Sequence, residues 1–387
     1  MALTFEFATA GQILFGRGVV ERLGKLAAAH GGRALVIGGR DPKRFEELVQ
    51  LLGAAHVQSE SCVVAGEPTV ERVAELVDQG RRFKADVIIG IGGGSAIDSA
   101  KAIAGLLNNP GHVSDYLEVV GAGKPLTRPG LPWFALPTTS GTGAEVTKNA
   151  VLDVPSHRQK VSLRSPLLLA RTALVDPALT DNLPRPITLA TAMDALTQLI
   201  EAFTTWRAQP LTDGFCELGI SLSARSLRIA CEETPPPPAA RDDLALASLL
   251  SGMALANAGL GIVHGFAGPI GGAFGAPHGS ICAALLPAAE AINLRALRER
   301  EPANPALNRY RRVAEILTGD PGATPSDGVE WLAQLSHDLG VPRLSQLGIQ
   351  PADFPDIIGK TKTASSTKAN PIQLTEAELE EILVRAG

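Results

Sequence analysis

The first half of the chain sets continuously apolar runs between helical patterns, and that alternation restricts the fold more than any other feature. ALVIGG (34–39), ESCVVAG (60–66) and ADVIIGIGGG (85–94) read as strands, and PWFALPTTSGTGAEV (132–146) as a strand entering a loop. Between them, FEELVQLLGAA (45–55), VERVAELVDQGRRF (70–83) and SAIDSAKAIAGLL (95–107) carry apolar residues at helical spacing. A strand that is apolar on both faces must be covered on both, and strands separated by helices run parallel. The expectation is an α/β domain over residues 1–184, built on a mostly parallel, Rossmann-like sheet.

After LVDPALTDNLPRP (174–186) the texture changes. ITLATAMDALTQLIEAF, RDDLALASLLSGMALANAGL, RRVAEILTG, GVEWLAQLSHDLG and EAELEEILVRAG are rich in Ala and Leu at helical spacing, with few β-branched runs. Residues 185–387 are therefore expected to form an all-helical domain. PPPP (235–238) reads as a surface loop between two of its helices. Two domains also suit 387 residues, a length at which one core stops growing.

Charge and cysteine usage narrow the function. The net charge is −5 and no basic cluster occurs, which argues against nucleic acid as a partner. The start, MALTFEFATAGQILFGRG, has no basic segment followed by an apolar one, so no signal peptide is read. No run of about 18 apolar residues escapes interruption by Gly, Pro or charge, so no membrane span is expected. Cys62, Cys216, Cys231 and Cys282 are scattered without a CxxC pair, which speaks against a disulfide framework or structural zinc and fits a reducing cytoplasm.

Two loops suit a nucleotide. GIGGGSAIDSAK (90–101) follows a strand and opens a helix, where glycines admit a phosphate to free backbone N–H groups. It does not meet GxGxxG, because Ser95 follows the glycines, and a tight structural turn would read similarly. Asp98 and Lys101 on the first turns of that helix are more than a turn requires. PTTSGTGAEVTKN (137–149) adds hydroxyls, glycines and a carboxylate, although an ordinary polar loop with a helix cap has the same composition.

HGFAGPIGGAFGAPHG (264–279) places two histidines in a stretch with no other charged or polar side chain. Taken singly, each is a core histidine bonded to a backbone carbonyl. Taken together, His264 and His278 face one site that holds a metal or a polarised substrate. Asp194 lies in an apolar helix with Gln198 four residues on, on the same face. Asp, His and His from three places form a set that either zinc or ferrous iron accepts, with a position left for substrate.

At these residues the sequence resembles the iron-containing (group III) alcohol dehydrogenase family. The likeness runs nearly end to end through GIGGGSAIDSAK, LPTTSGTGAEVT, ALVDPALT, DALTQLIEAF, NAGLGIVHG, PHG and KANPIQLTEAEL. The resemblance implies a nucleotide-binding domain, a helical domain and a deep cleft between them. It implies reversible hydride transfer between a nicotinamide cofactor and a small alcohol, aldehyde or ketone, in a homo-oligomer of two or more chains. By the same resemblance Gly93, Gly94 and Ser95 hold the pyrophosphate. Thr138, Thr139 and Thr142 line the nucleotide, and Asn149 and Lys160 lie towards the nicotinamide ribose; Asp98 is counted with this group. Asp194, His264 and His278 match three of the family's metal ligands, for iron or zinc.

The chain also departs from the family. Members with four ligands have histidine where this chain has Gln198, and many carry a further histidine where Gly268 stands. Gln198 is expected to give a weak amide ligand or to act from behind the ligands. NAD-selective members tend to carry an acidic residue after the first strand; here Gly39 takes that place. Arg40, Lys43 and Arg44 follow, which suits a 2′-phosphate and favours NADP over NAD. The rival readings are a metal-free reductase resembling maleylacetate reductases and a dehydroquinate-synthase-like cyclase. The cyclase should ring its metal with Lys and Arg, and residues 250–287 contain neither.

Overall fold

The computed structural model describes residues 4–39, 42–157 and 159–387, apart from the side chains of Pro42 and Arg44. Two compact units emerge, one of Ala8–Thr139 with Gly143–Asn182, the other of Leu183–Gly387 with Ser140–Thr142 and the N-terminal residues through Phe7.

The first unit contains strands β1 (Ile13–Phe15), β2 (Arg33–Gly38), β3 (Gln58–Val63), β4 (Val87–Gly92), β5 (Trp133–Pro137), β6 (Asn149–Val154), β7 (Gln159–Arg164) and β8 (Thr172–Val175). Its helices are α1 (Leu23–Ala28), α2 (Pro42–Ala54), α3 (Val70–Phe83) and α4 (Gly94–Leu107). Six strands form one sheet in the order β1-β8-β5-β4-β2-β3, and every pair is parallel. The inner strands β4, β5 and β8 are buried throughout, as continuous apolar runs require. The edge strand β3 is the exception: Gln58, Glu60 and Ser61 keep it partly in solvent, so only Cys62 is fully buried. On one face Val87, Ile89 and Ile91 of β4 pack with Phe45, Leu48 and Leu52 of α2.

Beside the sheet stands an antiparallel hairpin, β6–β7, that the sequence reading does not assign. Its alternation of buried and half-buried residues is the period-two pattern of a strand pair with one covered face. The hairpin is tied to α4 by Lys101, which is fully buried. Its ammonium donates to Asp98 Oδ1 (3.0 Å), Thr147 Oγ1 (2.8 Å) and the Asn149 carbonyl (2.6 Å).

The second unit is helical: α5 (Arg185–Thr204), α6 (Pro210–Glu232), α7 (Pro238–Ala258), α8 (Ile262–Phe274), α9 (His278–Arg300), α10 (Ala306–Thr318), α11 (Pro325–Leu339), α12 (Phe354–Thr361) and α13 (Glu376–Ala386). From Ala192 to Thr204 every residue of α5 is buried, which makes it the axis of the unit. α7 and α8 meet at 100°, and Gly259, at φ +84°, makes the corner. α9 is long and apolar enough to cross a membrane, but 72% of that stretch is buried inside the protein, as in a core helix.

Candidate active site and metal centre

Of the residues expected to face a nucleotide, Gly39, Gly93, Gly94, Ser95, Thr138 and Thr139 gather at the strand C-termini of the parallel sheet. β2 leads rightward to β3 and β4 leads leftward to β5, so the chain reverses direction between β2 and β4. Ligands of open α/β sheets bind outside the strand C-termini at such a reversal. Gly39, just past β2, and Gly92, ending β4, lie side by side there; a Cβ on Gly92 would come 3.7 Å from the Gly39 nitrogen. Gly92 also has φ +151°, and a Cβ would stand 2.7 Å from that of Ala96, so glycine alone lets α4 start this close. Gly93 caps α4 without a side chain, which leaves the first-turn N–H groups of Gly94 and Ser95 for an anion. A Cβ on Gly93 would lie 3.4 Å from the Thr139 side chain, and Thr138 N–H donates to the Gly92 carbonyl at 2.9 Å.

Other expected nucleotide residues are placed differently. Asp98 is buried with both oxygens engaged inside the unit, one by Lys101 and one by the Val151 N–H at 3.0 Å. Burial raises its pKa even against the neighbouring Lys101. Asp98 therefore fixes the hairpin to α4. Asn149 pairs with Arg164 and Lys160 with Asp153, so the two sit four residues apart along the hairpin, about 13 Å by strand rise. The Lys160 ammonium is paired with Glu67 at 2.8 Å. Thr142 falls in the helical unit. Arg40 lies outside the described residues.

The histidines and Asp194 do converge. Asp194, Gln198 and Glu201 occupy one stripe of α5 at spacings of four and three, all buried. His264 is the third residue of α8. That helix starts where it does because its free N–H groups find partners: Ile262 N–H donates to Asn370 Oδ1 (3.1 Å) and Val263 N–H to Glu201 Oε1 (2.7 Å). The other Glu201 oxygen lies 2.6 Å from His264 Nδ1. That bond puts the proton on Nδ1 and turns Nε2 towards Asp194. His278 opens α9, and Gly279 brings that helix onto α5: a Cβ there would lie 2.2 Å from the Ala190 carbonyl oxygen.

At the meeting point, His264 Nε2 and His278 Nε2 lie 3.3 and 3.7 Å from Asp194 Oδ1. This carboxylate oxygen is buried and makes no hydrogen bond. A fourth group, not expected from the sequence, completes the cluster. Cys282, one turn beyond His278 on α9, has its Sγ 3.8 Å from each histidine Nε2. One donor atom from each of Asp194, His264, His278 and Cys282 lies within 4.8 Å of all the others.

The electrostatics favour positive charge beside Asp194. Burial would raise Asp194, yet His278 and His264 hold it below the ordinary carboxylate value. Burial would lower His264, but its neighbours Cys282, Glu201 and Asp194 raise it well above an ordinary imidazole. Burial pushes the Cys282 thiol up to about 12. An unbonded carboxylate oxygen facing two imidazole nitrogens and a sulfur is a donor set that fits a divalent metal.

Gln198 is not among the donors. Its Nε2 donates to Asp194 Oδ2 at 3.2 Å, and its Oε1 accepts from Ser251 Oγ at 2.8 Å. Both ends of the amide are thus held within the helical unit. Gly268 has no atom within 4 Å of where a side chain would begin.

Comparison with known proteins agrees along the whole chain. Residues 10–177 match the family model "Iron-containing alcohol dehydrogenase", and residues 188–387 match "Fe-containing alcohol dehydrogenase family, C-terminal". Long-chain-alcohol dehydrogenase 1 of Geobacillus thermodenitrificans is 42% identical over 332 residues, 82% of this chain and 79% of that protein. The crystal structure of a 1,3-propanediol oxidoreductase superposes with a TM-score of 0.92 at 29% identity, covering 100% of both chains. A sulfoacetaldehyde reductase from Bifidobacterium kashiwanohense, solved with NAD+, gives 0.86 at 26% identity, covering 100% of this chain and 99% of that one.

Proposed function

The chain belongs to the iron-containing alcohol dehydrogenase family and is an alcohol/aldehyde oxidoreductase, and from that premise we propose a metal-assisted, NADP(H)-preferring enzyme for small, weakly polar carbonyl compounds. The observation that carries the reading is the convergence of Asp194, His264 and His278 around an unbonded buried carboxylate oxygen. The reaction is alcohol plus NADP+ to carbonyl compound plus NADPH and a proton, run in either direction. When bound, a divalent cation supplies Lewis-acid polarisation of the substrate oxygen, and the nicotinamide exchanges the hydride.

The chain's own residues supply the rest. Asp194, His264 and His278 bind the cation, and Glu201 holds His264 in the tautomer that ligates. His278, with 34% of its side chain exposed, is the ligand nearest to solvent access. Phe266, Ala267 and Ile270, which follow His264 on α8, are buried. At the sheet reversal, the Gly93–Ser95 turn is suited to a pyrophosphate. All four cysteines are buried free thiols, in keeping with a reducing cytoplasm.

The test combines NADPH and NADH oxidation over a panel of small aldehydes with elemental analysis of the purified protein. Alanine at Asp194, His264 or His278 should cut turnover roughly 100-fold or more, a few kcal/mol of transition-state stabilisation, with cofactor affinity unchanged. Full aldehyde reduction by metal-free protein would overturn the metal part and leave the histidines as donors to the substrate oxygen. Near-normal turnover in all three variants would move the site elsewhere.

A further inference from the structure

We propose that Cys282 is the fourth ligand of the metal site and that its thiolate sets the site for zinc rather than ferrous iron. The inference rests on the metal-assisted reading above and adds a donor and a metal preference to it.

Geometry is the first support. With metal–nitrogen and metal–oxygen bonds near 2.0–2.2 Å and metal–sulfur near 2.3 Å, a tetrahedron has N···O edges of about 3.4 Å and N···S edges of about 3.6 Å. The measured edges are 3.3 and 3.7 Å from Asp194 Oδ1 to the histidines, and 3.8 Å from Cys282 Sγ to each. Four of the six edges thus stand close to the spacing of one coordination shell, and the other two are within 4.8 Å.

The surroundings are the second support. Cys282 is fully buried, and its sulfur is turned between the two imidazole Nε2 atoms. The unbonded Asp194 Oδ1 faces the same point from α5. Gln198, the other residue within reach of Asp194, has both ends of its amide in use. A cysteine ligates as thiolate, releasing its proton when the metal binds. A soft sulfur beside two imidazoles and one carboxylate selects zinc among the metals such a site meets, and the divalent affinity order favours zinc over iron as well.

The decisive measurement uses the wild-type protein. Zinc-edge X-ray absorption on zinc-loaded enzyme should show one sulfur scatterer at about 2.3 Å among nitrogen and oxygen ligands. Cobalt(II)-loaded wild type should show a thiolate-to-metal charge-transfer band in the near ultraviolet. That band should vanish in Cys282→Ser and Cys282→Ala while the visible bands of bound cobalt remain. In chelator competition Cys282→Ala should lose zinc at least about 10–100-fold more readily, with less loss for ferrous iron. Zinc or cobalt bound stoichiometrically with no sulfur scatterer and no thiolate band would overturn this inference and leave the metal-assisted reading standing. Protein that takes up neither metal would overturn both.

Discussion

Gln198 donates its amide hydrogen to Asp194 Oδ2, 3.2 Å away and one turn earlier on α5, while Ser251 of α7 holds the amide oxygen. The carboxylate is therefore divided: Oδ2 is anchored and Oδ1 is left without a hydrogen bond. Both polar ends of the glutamine amide are engaged.

Gln198→Ala should accordingly weaken metal retention by about 10–100-fold, the usual scale for removing a group that orients a ligand. The cobalt spectrum should keep its shape, because no donor is lost. Chelator competition and absorption spectra of the cobalt form check both halves. A changed spectrum with tight retention would show that the amide coordinates after all.

Gly279 sets how closely α9 approaches α5. An alanine there would push a Cβ to 2.2 Å from the Ala190 carbonyl oxygen, a backbone atom that cannot swing aside. Gly279→Ala should cost on the order of 2–4 kcal/mol in urea unfolding, as overpacking against a buried helix does. It should also reduce metal binding, since His278 and Cys282 move with the helix. Gly268→Ala makes a control, because that position opens onto free space.

Glu290 on α9 gives a pH signature. Both its oxygens are buried, and burial pushes its pKa up to about 8, against a smaller downward pull from the Tyr310 hydroxyl. Between the ordinary value of 4.5 and about 8 the folded chain keeps a proton that the unfolded chain has released. Stability from this group is thus complete below the ordinary value and is lost as pH rises through 8. Glu290→Gln should stabilise the protein near pH 8 by on the order of 1–3 kcal/mol and flatten that slope. Urea midpoints measured from pH 5 to 9 test it; parallel pH profiles for the two proteins would contradict it.

Much of this fold is legible in the sequence, and the parts that are not have physical causes. β2, β4 and β5 announce themselves because a strand covered on both faces needs no polar residue. β1 and β8 are three and four residues long, too short for any period to show. α8 and the start of α9 give no helical signal because Gly and Pro are dense in residues 264–279. Packing on α5, and caps from Glu201 and Asn370, override that local preference. Asp194 and both histidines could be picked out as polar residues in apolar surroundings. Cys282 could not be picked out by cysteine pairing, yet its spacing of four from His278 was there to be used, since one turn of helix brings such residues together. Asn370 carried no signal beyond its motif, because its partners Ile262 and Asn293 are distant in sequence.

NADP(H) should be favoured over NAD(H). At the end of β2 Gly39 offers no carboxylate to bond ribose hydroxyls, and Lys43 on the first turn of α2 is exposed. A hydrogen bond to a charged group is worth about 1.5–3 kcal/mol, so kcat/KM should differ by about tenfold or more. Steady-state kinetics with both cofactors decide it. Equal or higher kcat/KM with NADH would refute it.

Glu201 has two duties at once: one oxygen takes the Val263 N–H that begins α8, and the other takes His264 Nδ1. For anyone redesigning this centre, the residues around it are therefore unequal. Positions 198 and 282 can be varied while their helices keep their starts, because neither side chain caps a helix. Position 201 cannot, because the carboxylate that aims the imidazole also starts the helix on which that imidazole rides. A change there would dismantle the mount together with the instrument, and no choice of metal would restore it.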